Sequence, residues 1–256
     1  MRWIDRCFQA HERPNEQNLF PIVQGGLDLE LRKYCTEEMV KRNANGYAIG
    51  GLSGGEEKED FWKVVDTCTT GLPQEKPRYL MGIIVYLLLG VGYPVDLIVC
   101  GLLGVDMFDC VFATRTARFG TAFTNHGFHK LKSESNRFDF DPIEKECDCE
   151  VCKSYSRSYF YIMLAKNPRA VNLISLHNVY YLLKLMKSFR QSIIDNKVQE
   201  FVENFLSKQF YKKDKITMYP MWVYNALKAA GVDIKFMNGN IDNLSHSDYE
   251  KDLEDN

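Results

Sequence analysis

The stretch YAIGGLSGGEE, residues 47–57, decides the fold. Tyr47–Ile49 is a short apolar run that suits a buried strand, and the chain leaves it through a glycine-rich loop. Before it lies a helical pattern over Leu29–Arg42, with Asp28 placed as its cap and the turn NANG at its end. After it comes a second helix, Lys58–Thr69, stopped by Gly71 and Pro73. A short apolar strand between two helices, left through glycines, is the mark of βα units and a parallel sheet.

The same unit repeats on both sides. Upstream, an amphipathic helix over Trp3–His11 precedes a strand at Leu19–Gln24 (LFPIVQ), which runs into Gly25 and Gly26. Downstream, a strand opens at Arg78–Met81, a helix covers Val95–Leu103, and Asp106–Phe112 reads as a fourth strand. A closed (β/α)8 barrel needs eight strands, so four imply either an open sheet or part of a barrel.

Beyond Arg118 the pattern changes. Phe119–Phe140 is β-rich, and Ser154–Ala165 and His177–Phe210 are helical. The tail from about Asn238 is polar and acidic, with the composition of a disordered segment. With 256 residues, 45% of them hydrophobic, the chain can bury a substantial core. A net charge of −2 argues against a basic coat for nucleic acid but leaves room for a local basic patch. Tyr79–Val95 carries no charged residue and has nearly the length of a membrane span. Gly82, Gly90, Gly92 and Pro94 interrupt it, so a strand, loop and helix start explain it better, and no integral membrane anchor is expected.

Eight cysteines without a secretory signal speak against a disulfide framework. Cys7, Cys35, Cys68, Cys100 and Cys110 stand singly, as buried thiols do. Cys147, Cys149 and Cys152 form a C-x-C-x-x-C knuckle that one loop can present to a metal, and a distant His177 can close a Cys3His zinc site. Four filled positions make such a site structural. From spacing alone His177 is the least secure of the four, because a lone histidine near a helix start is more often an ordinary hydrogen-bonded residue.

The segment GVDMFDCVFATRTARFG, residues 104–120, places Asp109 within an apolar strand and two arginines in the loop after it. A carboxylate at the C-terminal end of a βα strand faces the site, and in apolar surroundings it must be paired or functional. Arg115 and Arg118 can grip phosphates or bases, or one of them can pair with Asp109 in a structural ion pair. Gln24, Gly50, Gly51, Met81 and Asp109 fall at the same end of successive strands, where amides and bare backbone suit a flat heterocycle.

FPIVQGGLD, YAIGGLSGGEE, RYLMG, VGYPVDL, GVDMFDCVF with TRTARFG, and the cysteine knuckle with its distant histidine resemble the tRNA-guanine transglycosylases, over residues 1–232. The resemblance implies a (β/α)8 TIM barrel with an inserted zinc-binding subdomain and C-terminal helices. It also implies replacement of guanine by queuine at the wobble position of tRNAs with a GUN anticodon, through a covalent ribosyl–enzyme intermediate. Asp109 matches the nucleophile. Gln24, Gly50, Gly51, Leu52 and Met81 match the base-binding residues. Gly90, Val91, Gly92, Tyr93, Pro94, Val95 and Asp96 match an RNA-contacting segment. Thr114, Arg115, Thr116, Ala117 and Arg118 match the wobble-recognition loop. Cys147, Cys149, Cys152 and His177 match the ligands of a structural Zn2+. Implied partners are tRNA, queuine and guanine, and a non-catalytic homologous subunit or a second copy. The implied location is the cytoplasm or the outer surface of mitochondria.

Three departures stand out. Family members carry about four further βα units, with two more aspartates, ahead of RWIDRC. Ile83–Gly90 interrupts the family's YLMGVGYP, and Ala113 replaces a usual proline, which should loosen the loop before Arg115. The expected organisation is a C-terminal portion of the barrel at 1–118, a zinc subdomain at 119–178, helices at 179–237 and an acidic tail at 238–256. An N-terminally truncated chain of this kind need not be active. The competing function is therefore a zinc-stabilised module that binds tRNA or a subunit without chemistry.

Overall fold

The computed structural model describes residues 1–52, 54–82, 93–212, 215–216, 218–237 and 239–242. The chain divides into two compact units: Met1–Cys110 with Asn225–Val232, and Val111–Tyr224 with the chain from Asp233 onward.

The first unit is α/β. Its elements run α1 (Arg2–Ala10), β1 (Ile22–Val23), α2 (Leu29–Val40), β2 (Tyr47–Ile49), α3 (Lys58–Gly71), β3 (Arg78–Leu80), α4 (Pro94–Leu102) and β4 (Met107–Phe108). The four strands form one parallel sheet in the order β1-β2-β3-β4. Its core is the row of fully buried Val23, Ile49 and Leu80, against which Met39, Phe61 and Val65 are also buried. Asp28 caps α2 as the sequence predicts, its carboxylate accepting from the amides of Glu30 and Leu31 at 3.0 Å.

The strands are shorter than their apolar runs suggest. The run 19–24 contributes only Ile22–Val23, and the strand expected over 106–112 is only Met107–Phe108. Asp109 therefore follows its strand and is exposed. Asp106 is a junction residue whose carboxylate accepts from the Arg78 amide at 2.9 Å. Of the apolar stretch 79–95, Tyr79–Leu80 belongs to β3 and Pro94 opens α4, while residues 83–92 lie outside the described ones. Among the described residues no helix is long and apolar enough to cross a membrane.

In the second unit, α5 (Phe112–Arg118) leads into the hairpin β5 (Thr121–Thr124) and β6 (Gly127–Lys130). Then come α6 (Glu150–Ser154), α7 (Arg157–Met163), α8 (Arg169–Ile194) and α9 (Val198–Gln209). The loop expected around Thr114–Arg118 is thus a helix. Ala113 sits in its first turn, where its carbonyl accepts from the Asn178 amide at 2.9 Å. The helical run 177–210 is two helices, broken at Asn196, whose φ of 55° lies in the left-handed region. α8 begins eight residues before His177, so this histidine lies inside a helix of 26 residues rather than at its start. Short pairings follow: β7 (Tyr211–Lys212) with β8 (Lys215–Ile216), and β9 (Tyr219–Pro220) with β10 (Ile241–Asp242), while α10 covers Met221–Ala229. The tail's residues 239–242 therefore include a strand, and 243–256 lie outside the described residues.

Candidate active site and metal centre

Strand register builds the first site. Val23 pairs with Ile49, Ile49 with Leu80, and Leu80 with Phe108. The next residue on each strand is therefore Gln24, Gly50, Met81 and Asp109, one row across the end of the sheet. A Cβ on Gly50 would lie 3.2 Å from Met81 Sδ and 3.3 Å from Gln24 Nε2, and one on Gly51 would lie 2.6 Å from Gln24 Oε1. A side chain at Gly51 would displace the Gln24 amide, and one at Gly50 would run into Ile22 Cγ2, 2.6 Å away, and crowd Met81 and Gln24. The glycines are thus a steric requirement of the cluster as well as turns. Leu52 is buried beside them.

Asp109 is held from β3. The Tyr79 hydroxyl donates to Asp109 Oδ1, and the Gly82 amide donates to the same oxygen at 2.8 Å. The hydrogen bond to Asp109, followed by burial, pushes the Tyr79 hydroxyl up to about 12, so it remains a proton donor across the physiological range. The chain approaches so closely that a Cβ on Gly82 would collide with the Asp109 carbonyl oxygen. Two donors on Oδ1 fix the orientation of the carboxylate at the end of the sheet.

Sequence reasoning missed the group behind this row. Arg32 of α2 is fully buried and donates to the carbonyls of Gly26, Val23 and Gly50 at 2.9, 2.9 and 2.8 Å. Its signal was present: Arg32, Cys35, Thr36 and Met39 form the buried stripe of α2 at helical spacing. Tyr79, Gly82 and Lys58 were also missed, since nothing in their spacing marks them.

The segment matched to RNA contact is divided. Gly90, Val91 and Gly92 lie outside the described residues. Tyr93, Pro94, Val95 and Asp96 are buried, and Asp96 Oδ2 meets Lys58 Nζ at 2.6 Å. On α5, Thr114, Arg115 and Thr116 are half-buried, Ala117 is fully buried, and Arg118 is exposed.

The second site lies in the other unit. Cys147, Cys149, Cys152 and His177 bring their ligand atoms within 4.8 Å of one another. The three sulfurs stand 3.9, 3.5 and 3.4 Å from His177 Nδ1. A tetrahedral ion with metal–sulfur and metal–nitrogen bonds of about 2.3 and 2.0 Å would need about 3.5 Å there, so the set fits one metal ion. His177 Nε2 lies 2.8 Å from the Phe123 carbonyl, which accepts its proton and leaves Nδ1 to face the sulfurs. Burial opposes a thiolate at Cys149, but His177 and the Cys152 amide outweigh it and lower the thiol's pKa. Asn178, also buried, accepts from the Phe123 amide at 2.9 Å and donates to the Ala113 and Thr121 carbonyls at 2.9 and 3.1 Å. Adjacent residues of α8 thus hold the metal set and the start of α5.

A family model for queuine tRNA-ribosyltransferase matches residues 1–211. The queuine tRNA-ribosyltransferase catalytic subunit of Schizosaccharomyces pombe is 48% identical over 241 residues, covering 91% of this chain and 57% of that protein. The catalytic subunit of Caenorhabditis elegans is 46% identical over 247 residues, covering 92% and 60%. The queuine tRNA-ribosyltransferase of the bacterium Caldanaerobacter subterraneus is 44% identical over 216 residues, covering 84% and 56%. The chain spans less than two-thirds of the length of these relatives.

Proposed function

The chain belongs to the queuine tRNA-ribosyltransferase family, and from that premise we propose that it exchanges guanine for queuine at the wobble position of GUN-anticodon tRNAs, with Asp109 as the nucleophile. The observation that carries this reading is the row Gln24, Gly50, Met81 and Asp109 at one end of the parallel sheet.

The chemistry follows from the row. Tyr79 and Gly82 hold Asp109 Oδ1; Oδ2 attacks C1′ of the target nucleotide. The C1′–N9 bond breaks, its electron pair leaves with guanine, and guanine takes up a proton from water. N9 of queuine then attacks C1′, gives its proton to water, and the Asp109–C1′ bond breaks to regenerate the carboxylate. A carboxylate suits a transition state of oxocarbenium character, and two displacements replace one difficult one. Gln24, Gly50, Gly51 and Leu52 grip the base, and Met81 covers its face. Arg115 and Arg118, with Thr114, Thr116 and Ala117, read the wobble nucleotide.

The sheet is the C-terminal portion of a (β/α)8 barrel. The metal is zinc. Its ligand set of three thiolates and one neutral imidazole leaves no coordination position for substrate, so its role is structural. The partner is a homologous subunit or a second copy, and the place of action is the cytoplasm or the mitochondrial outer surface.

The test pairs labelled-guanine incorporation into tRNA with detection of a denaturation-resistant tRNA–protein adduct. Asp109→Asn should abolish the adduct and lower exchange by roughly 10³-fold or more. An adduct that survives Asp109→Asn sinks the nucleophile assignment. Absence of both adduct and exchange with the unaltered chain sinks the claim that it is catalytic.

A further inference from the structure

We propose that Arg32 is the positioning residue for the base-binding loops: its guanidinium sets the placement of Gln24 and of Gly50–Leu52 against the exchanged purine. This rests on the base-exchange reading above and adds a residue to it.

The geometry is that of a cross-brace. Arg32 leaves no surface exposed to solvent. Nε donates to the Gly26 carbonyl at 2.9 Å. Nη1 donates to the Val23 and Gly50 carbonyls at 2.9 and 2.8 Å, and Nη2 lies 3.4 Å from the Gly51 carbonyl. Val23 and Gly26 flank Gln24 in the chain, so the first two contacts fix the backbone on both sides of that residue. The other two fix the loop after β2. One side chain thereby ties the ends of two neighbouring strands.

The backbone is shaped for this arrangement. Gly26 and Gly51 have φ of +59° and +68°, conformations that glycine adopts without strain. A Cβ on Gly51 would lie 2.6 Å from Gln24 Oε1 and 3.6 Å from Arg32 Nη2, so the bare Gly51 backbone lies close to both side chains. Burying a cation is costly, and several carbonyl dipoles are needed to compensate it. Lysine cannot substitute. Its donors radiate from one nitrogen, whereas a planar guanidinium spreads five across a fork wide enough to reach both loops.

A merely structural arginine would make the same bonds and affect only stability. Positioning makes a different prediction, because a base must find Gln24 and the Gly50–Leu52 backbone already in place. The experiment uses Arg32→Lys in the full chain, which keeps the charge and most of the volume. Hydrogen exchange should show the amides of residues 24–26 and 50–52 opening roughly tenfold faster, with the helices of that unit still protected. Equilibrium dialysis should show binding of labelled guanine weakened roughly tenfold, and in turnover the guanine KM should rise while kcat and the tRNA KM change less than about threefold.

The outcomes separate. Protection lost evenly across the sheet, with guanine binding unchanged per folded molecule, makes Arg32 ordinary cement and overturns the proposal. If Arg32→Lys does not fold, Gln24→Ala and Gly51→Ala, which disturb the braced groups from the other side, must weaken guanine binding by a similar factor; no effect from either overturns it. If the unaltered chain binds guanine but exchanges no base, the base-exchange reading fails while the dialysis and hydrogen-exchange results still decide the role of Arg32.

Discussion

Lys58 Nζ lies 2.6 Å from Asp96 Oδ2, and both side chains are buried. Lys58 opens α3 and Asp96 lies in the first turn of α4, so the pair ties the segment after β2 to the segment after β3. The Phe61 and Tyr93 rings lie 5.2 and 5.7 Å from the ammonium and shelter it from water. Together with Arg32, which ties the ends of β1 and β2, it forms a second brace along the same edge of the sheet.

Removing one partner of a buried ion pair takes away the other's counter-charge. Lys58→Met or Asp96→Asn should therefore cost about 3–5 kcal/mol in urea unfolding, and the double replacement Lys58→Met with Asp96→Leu should recover most of it. If Asp96 instead met RNA directly, Asp96→Asn would weaken tRNA binding at nearly unchanged stability.

Tyr79→Phe removes the hydroxyl that holds Asp109. Adduct formation should slow by roughly 10- to 100-fold, with tRNA binding little changed. The pH dependence has a definite sign. The folded pKa of Tyr79, about 12, lies above the unfolded value near 10. The hydroxyl's contribution to stability is thus fully present below pH 10 and is lost as the pH rises toward 12. Unfolding curves of the unaltered chain and Tyr79→Phe should differ by a constant amount up to pH 10 and converge above it. Divergence on raising the pH would refute this account.

The alternation of apolar runs and glycine loops disclosed the parallel sheet, because strands buried on both faces are apolar throughout, as in Tyr47–Ile49. Strand length was not legible. Phe112 and Val111 are as apolar as Phe108, yet Val111 follows the strand and Phe112 opens a helix whose start Asn178 holds from a distant part of the chain. The cysteine knuckle disclosed three ligands, because thiols so close serve one ion. The fourth was ambiguous, since a histidine inside α8 is marked only in three dimensions, by the three sulfurs at Nδ1 and the Phe123 carbonyl at Nε2. Arg32 and Lys58 escaped for a related reason. Charged residues read as solvated faces unless the main chain they brace is known.

The metal set predicts one zinc per chain by elemental analysis, lost in Cys149→Ser and in His177→Ala. On the order of 10 kcal/mol of binding free energy is available to such a site, and it becomes folding free energy. Chelation should therefore melt the unit from Val111 onward at a lower temperature than Met1–Cys110, giving two calorimetric transitions. Acidification should release the ion as the thiolates take up protons. A chain that keeps one sharp transition after complete zinc removal would show that the cluster does not hold the fold.

Asn178 is the more diagnostic position, because it separates the scaffold from the metal. Its buried amide meets the Phe123 amide and the carbonyls of Ala113 and Thr121, so no group in this network is left to water. Asn178→Ala removes the partner of the Phe123 amide and the Thr121 carbonyl on β5, each costing about 1–3 kcal/mol when buried and unpaired, and leaves the Ala113 carbonyl with Thr116 Oγ1 alone from outside the main chain. The expected loss in chemical denaturation is about 3 kcal/mol or more. Zinc content should stay at one per chain, because His177 keeps its own bond to Phe123. Because α5 carries Arg115 and Arg118, the loosened helix should also weaken tRNA binding more than guanine binding. If Asn178→Ala changes stability by less than about 0.5 kcal/mol, the range of an ordinary surface substitution, then the α5 start is held by packing of Phe112 against Phe123 and Phe128 rather than by this amide.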